Sequence, residues 1–314
     1  MRLNFKLAFL YLVCQFSSVY AGPEGADIRA GNVTIQGQGS GQVTINQTSN
    51  KAIINWHTFN VGQNESVQFN TPGAQAATLN RITSGNASEI LGSVKSNGQL
   101  WLINPNGIVF GKNAQINVAG LVASTLDIHD QDFMVGNYQL EQQGASFAKI
   151  VNQGHLNADG GYVAMLAPQI ENTGVIQAKL GTVALGAGTK ATLAFQNNQL
   201  LSFAIHEGAE VPMYDGNGES VAALHQAGTI QAAGGQVLLT AASINSMLDQ
   251  SINVNGVIQA DTVEDQPGKI ILLAKGNTIV QDSQLSAQGL TSGSQGGGHQ
   301  GDGPKCCRDR SFKH

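Results

Sequence analysis

The residues able to do acid, base or metal chemistry are few and scattered. His129, Asp130 and Asp132 stand close together, His206 precedes Glu207, and His155 and His225 lie apart from other reactive groups. Calcium binding or proton transfer needs several charged side chains converging from neighbouring segments. The cluster at 129–132 lies in a polar, glutamine-containing stretch and reads as a solvated loop. His206-Glu207 lacks the spacing of a zinc motif, and neither His155 nor His225 has a nearby nucleophile. Gly186-Ala187-Gly188-Thr189-Lys190 has the composition of a phosphate loop without its glycine spacing or a following amphipathic helix, so it reads as a corner between strands. No catalytic residue, metal ligand or cofactor is expected. Asn32, Asn46, Asn64 and Asn86 match the glycosylation acceptor, but a chain rich in Asn and Thr turns produces such matches by chance.

One cluster is different. Asn104-Pro105-Asn106-Gly107, followed by Ile108, has the composition of a type I turn. Asn can bond its own backbone ahead, Pro presets φ, and Gly suits the fourth position. The turn would join strands Gln99 to Ile103 and Ile108 to Phe110.

The elements that must hold this turn follow from composition and repetition. Of 314 residues, 12% are charged, against roughly 25% in soluble domains, and 39 are glycine. Net charge is −5 with a pI near 5.8. That balance excludes a coiled coil, a basic nucleic-acid binder and a highly charged disordered chain. Short alternations of Val and Ile with Thr, Asn and Gln point to an all-β fold.

Arg2 and Lys6 accompany an apolar run, Leu7 to Phe16, that is too short to span a bilayer, and Val19-Tyr20-Ala21 follows. Residues 1–21 therefore read as a secretory signal peptide cut after Ala21. Cys14 falls inside it, while Cys306 and Cys307 are adjacent near the end, so no structural disulfide is expected.

A repeat runs through the second half: Gly-x-Ile/Leu-x-Ala, then Gly, one residue, and two apolar positions separated by one. Copies start at Gly154, Gly174, Gly228 and Gly256, the first two 20 residues apart. The fourth carries a polar insertion, Asp261 to Pro267, before Gly268. Twenty residues is the length of one coil of a parallel β-helix, whose coils stack about 4.8 Å apart. Leu156, Ile176, Ile230 and Ile258 should then form one inward ladder, and Val163, Val183, Val237 and Ile270 another. Gly31 to Ile35 and Gly41 to Ile45 suggest a hairpin in an N-terminal cap. Asp127 to Lys149 and Phe195 to Val221 break the pattern and read as excursions.

Leu79-Asn80-Arg81-Ile82, Ile90-Leu91-Gly92, the run from Gly98 through Asn104-Pro105-Asn106-Gly107-Ile108 to Gly111, and Gly120-Leu121-Val122-Ala123-Ser124-Thr125 together closely resemble the N-terminal two-partner secretion (TPS) domain of the filamentous haemagglutinin family. The resemblance covers about Gly25 to Leu201 and continues more loosely to Gln288. It implies a right-handed parallel β-helix with an N-terminal cap, within a Gram-negative adhesin-like exoprotein secreted through the periplasm to the cell surface or beyond. It also implies a partner, an outer-membrane β-barrel transporter, with Asn104, Pro105, Asn106, Gly107 and Ile108 as the recognition element. A host-cell surface ligand would be met by effector regions beyond the secretion domain. On this reading residues 22–288 are the secretion domain with its following repeats, and residues 289–314 a disordered or aberrant tail. From Gly297 to His314 charge and cysteine replace the expected next strand, which suggests an interrupted gene; a short independent member is the rival. The alternative function, a polysaccharide-active parallel β-helix enzyme, is disfavoured because the repeat strands expose mainly Gln, Asn, Thr and Ala.

Overall fold

From Ser88 onward each coil contributes one short strand to each of three sheets whose coil-to-coil pairing is parallel, in keeping with the 20-residue repeat. In this computed structural model the described residues are 22–302 apart from 145–147, 197–198, 209–220, 243–250, 264–265 and 289–297. The expected signal peptide, all three cysteines, much of the Phe195 to Val221 excursion and most of the tail lie outside them.

We name the sheets I, II and III. A representative coil runs through Ile108–Phe110 in sheet II, Gln115–Asn117 in sheet III and Gly120–Ser124 in sheet I. The glycine opening each repeat sits at the corner between sheets II and III. A Cβ on Gly174 would collide with the carbonyl oxygen of Gly154, and one on Gly228 with that of Gly174. The coils can therefore stack closely only with glycine at this corner.

The predicted ladders are both present. Leu156, Ile176, Ile230 and Ile258 are consecutive Cα partners in sheet III, and Val163, Val183, Val237 and Ile270 in sheet I. All eight are buried in one continuous core. A buried amide ladder adds direction: Asn152 Nδ2 donates to Asn172 Oδ1 at 2.7 Å, and Asn172 Nδ2 to Gln226 Oε1 at 2.7 Å. At the N-terminal end, Val33–Gln36 pairs antiparallel with Gln42–Gln47, and Asp27–Ala30 with Lys51–Trp56, giving the expected cap.

The excursions depart from expectation. The stretch after Asp127 is no solvated loop: it forms a short helix, α1 (Asp130–Val135), and the strand Tyr138–Glu141, with Phe133 and Leu140 fully buried. The second excursion begins earlier than Phe195, as an antiparallel hairpin of Lys190–Gln196 and Gln199–Glu207. Gly186 and Ala187 end the sheet I strand Thr182–Ala187, and the expected corner that follows them is where the chain leaves the coil for this hairpin. Tyr138–Glu141 pairs with Lys190–Gln196, and the assembly lies over the outer face of sheet I. Beneath it Trp101 packs against Phe133, Tyr138 and Phe195, with ring centroids 5.4, 4.9 and 5.8 Å away. Where charge and cysteine were expected to end the strand pattern, Gly298–Asp302 instead pairs parallel with Lys269–Ala274. The free edge of sheet I offers backbone partners that need no apolar side chain.

The two excursions share one place. The polar insertion before Gly268 leaves where sheet III hands over to sheet I, whereas residues 125–148 and 188–223 both leave where sheet I hands over to sheet II.

Candidate functional site

The same corner, one coil before the first departure, holds the Asn-Pro-Asn-Gly turn. Its flanking strands are Gln99–Ile103 and Ile108–Phe110, with the predicted bounds. Gly107 N donates to Asn104 O at 3.0 Å, closing the turn, and Asn106 N donates to Asn104 Oδ1 at 2.9 Å, the forward bond that an asparagine at the first position makes. Gly107 has a φ of +116°, which a side chain would strain.

The two asparagines have different situations. Asn104 is fully buried. Its Nδ2 donates to Asn86 O and to Ser88 Oγ, both at 3.0 Å, and its backbone N donates to Ser124 O at 2.9 Å. It therefore ties its own turn to the coil below and the coil above. Asn106 is exposed, with Nδ2 donating to Ser84 O at 2.8 Å. Pro105 is half-buried, and Ile108 is buried, in register with Ser88 and Ile150. The type of turn was readable from sequence; that one asparagine would be a core residue and the other a surface residue was not. Removing Asn104's side chain takes a partner from buried Ser88 Oγ and from the partly buried Asn86 O and Asn106 N, and costs about 1–3 kcal/mol, whereas Asn106→Ala costs no more than about 1 kcal/mol.

Two cations that sequence reading left unassigned position the excursion beside this corner. Arg81 donates from Nε to Asp127 Oδ1 at 2.8 Å, and from Nη1 to Asp130 Oδ1 at 2.6 Å and Asn55 Oδ1 at 3.3 Å. Burial opposes its charge, but Asp127 and Asp130 overcome this and hold its pKa above the ordinary value. Lys51 Nζ donates to Phe133 O at 2.7 Å and Met134 O at 3.1 Å, at the carbonyl end of α1, and lies 5.4 Å from the Phe133 ring centroid and 5.1 Å from that of Tyr138. The only signal for Arg81 was its place in the Leu79-Asn80-Arg81-Ile82 run.

The remaining candidates do not converge. Asp130 and Asp127 serve Arg81, Asp132 accepts from Asn137 Nδ2 at 3.0 Å, and His129 is exposed. His206 lies 2.8 Å from Thr192 Oγ1 across the hairpin. Among the described residues no group of three or more His, Cys, Asp or Glu could hold a metal ion. What the corner offers is a fixed surface of amides and backbone.

Comparison with known proteins gives this surface a context. A heme/hemopexin-binding protein of Haemophilus influenzae strain Rd is 31% identical over 285 residues, covering 88% of this chain and 30% of that protein. A second heme/hemopexin-binding protein of H. influenzae is 29% identical over 289 residues, covering 84% of this chain and 29% of that protein. The chain thus spans under a third of the length of these relatives. Among solved structures, the HMW1 secretion domain from H. influenzae superposes with a TM-score of 0.70 at 32% identity, covering 85% of this chain and 67% of that one. The family described as the TPS secretion domain matches residues 22–287, and with that coverage the chain belongs to the TPS secretion domain family.

Proposed function

We propose that this domain is the export module of an exoprotein whose partner is an outer-membrane β-barrel transporter, and that Asn104, Pro105, Asn106, Gly107 and Ile108 form the element the transporter recognises in the periplasm. The observation carrying this reading is the division between the asparagines. Asn104 and its bonds to the coils on either side hold the corner in one conformation, and Pro105 and Asn106 are presented on it. A surface held in advance loses little conformational freedom when a partner docks. The exoprotein then passes through the periplasm to the outside or the cell surface, where a host-cell surface ligand is its target. Haem and hemopexin, named for the relatives, are the first ligands to test. Nucleic acid and catalysis form no part of the proposal.

Asn106→Ala is the informative variant, because the fold retains Asn104, Pro105 and Gly107. In cells carrying the matched transporter its secretion should fall sharply, with the protein retained or degraded in the periplasm, while the purified domain unfolds at nearly the parental denaturant concentration. Normal secretion would reduce the element to a corner. Lost secretion with lost stability would make its role structural.

A further inference from the structure

The corner between sheets II and III is occupied by Gly154, Gly174, Gly228 and Gly256, and at the last three a Cβ would meet the carbonyl oxygen of the corresponding glycine one coil below. Stacking dictates glycine there, yet leaves the preceding residue free: Gln153, Thr173, Ala227 and Asn255. Only the fourth copy therefore places asparagine directly before the glycine. In that pair the glycine nitrogen is unshielded by a side chain and can close a five-membered ring on the asparagine Cγ.

The surroundings favour this ring at Asn255 and oppose it elsewhere. Asn255 is exposed, and His225 Nε2 lies 3.1 Å from its Oδ1. With its proton on Nε2, the imidazole donates to the amide oxygen and makes Cγ more electrophilic. No hydrogen bond from Gly256 N is found among the described residues. Two other Asn-Gly pairs are described, and in both the attacking nitrogen is engaged. Gly98 N donates to Ser96 Oγ at 3.0 Å, and Asn97 is held by Thr71 through Oδ1 and Nδ2, both at 2.8 Å. Gly107 N donates to Asn104 O, and Asn106 Nδ2 to Ser84 O.

We infer that Asn255 is a modification site at which the chain deamidates spontaneously, assisted by His225. The Gly256 nitrogen bonds to Asn255 Cγ, the Cγ–Nδ2 bond breaks, and ammonia departs with the proton that Gly256 N gives up. Water then opens the cyclic imide at either carbonyl, leaving aspartate or isoaspartate, with no oxidation or reduction. Isoaspartate adds a methylene to the main chain at a corner where Asn255 N donates to Gln226 O at 3.0 Å and Val257–Gln259 must register with Thr229–Gln231. The coils that follow lose their alignment with those before.

The test is peptide mapping of the purified chain during incubation at neutral pH, with aspartate and isoaspartate quantified at positions 97, 106 and 255. In the native chain, product at 255 accumulates several-fold faster than at the other two, and in denaturant the three rates converge. His225→Phe and His225→Gln, each checked by circular dichroism, slow the native reaction at 255 several-fold. Asn255→Thr, copying the Thr173 corner, abolishes it without loss of fold. The inference is overturned if 255 does not lead in the native chain, if its lead persists in denaturant, or if both His225 variants react at the parental rate.

Discussion

The outer faces of sheets I and III obey opposite rules although the same coils build them. In sheet III the inward residues Ile116, Leu156, Ile176, Ile230 and Ile258 alternate with outward Asn117, Asn157, Gln177, Gln231 and Gln259, which reach solvent. In sheet I the outward residues Trp101, Val122, Ala164 and Ala184 are as buried as their inward neighbours, because the excursions cover them. Sheet I itself repeats the contrast along its length. Tyr162–Ala167 and Thr182–Ala187 are buried at every position, but Gln236–Ala241, beyond the cover, returns to alternation. A strand alternates where one face is wet and becomes uniformly apolar where both are dry.

If this contrast is correct, the largest effect comes from emptying the covered face. Trp101→Ala should cost about 3–5 kcal/mol in denaturant unfolding, although Trp101 points away from the core of the helix. A cost under about 1 kcal/mol would mean that the cover contributes little. Next comes the attachment of the cover. Arg81→Ala leaves Asp127 and Asp130 without their cation and should cost about 3 kcal/mol. Hydrogen exchange should then rise across 126–141 while Leu156, Ile176 and their neighbours in sheet III stay protected; uniform acceleration would show that cover and coils unfold as one.

A smaller effect is expected at high pH. Burial foremost, then Tyr138, pushes the Tyr162 phenol well above its ordinary pKa. The protonated form is thus favoured in the folded state, so its stabilisation is complete below the unfolded value of about 10 and is lost as pH rises towards the raised one. Urea unfolding should show stability declining above that point, and Tyr162→Phe, though it forfeits the 2.8 Å bond to Gln99 Oε1, should flatten the decline. The smallest effect belongs to the open face: Gln177→Ala should change stability by no more than about 0.5 kcal/mol.

Sequence reading reached as far as each signal was local. The ladders could be read to the residue because the two glycines that flank each sheet III strand recur at one spacing in the first three copies and fix where every copy starts and turns. The Asn104 turn could be read because Pro105 and Gly107 restrict the backbone within four residues. Helix α1 could not, since six residues are too few to show a helical period and its single fully buried side chain, Phe133, stands among polar neighbours. The partners of Arg81 are 46 and 49 residues away, with nothing local to announce them. A signal for the cover did exist: Gln99–Ile103 and Gly120–Ser124 lack the alternation of sheet III, which marks strands with two dry faces. Asn104 gave none, because a polar residue in a turn is ordinarily solvated.

The two excursions that cover sheet I begin at one corner, and the consequence is geometric. Along the axis the rise from coil to coil is set by backbone pairing in three flat walls, none of which the departures interrupt. Chain added at that seam changes the girth of the molecule but not its length, and leaves every wall on either side in step. Such a seam can accept a foreign hairpin or a whole appended lobe as readily as it accepts the 36 residues of 188–223, so variety in shape can accumulate on a rod of constant pitch.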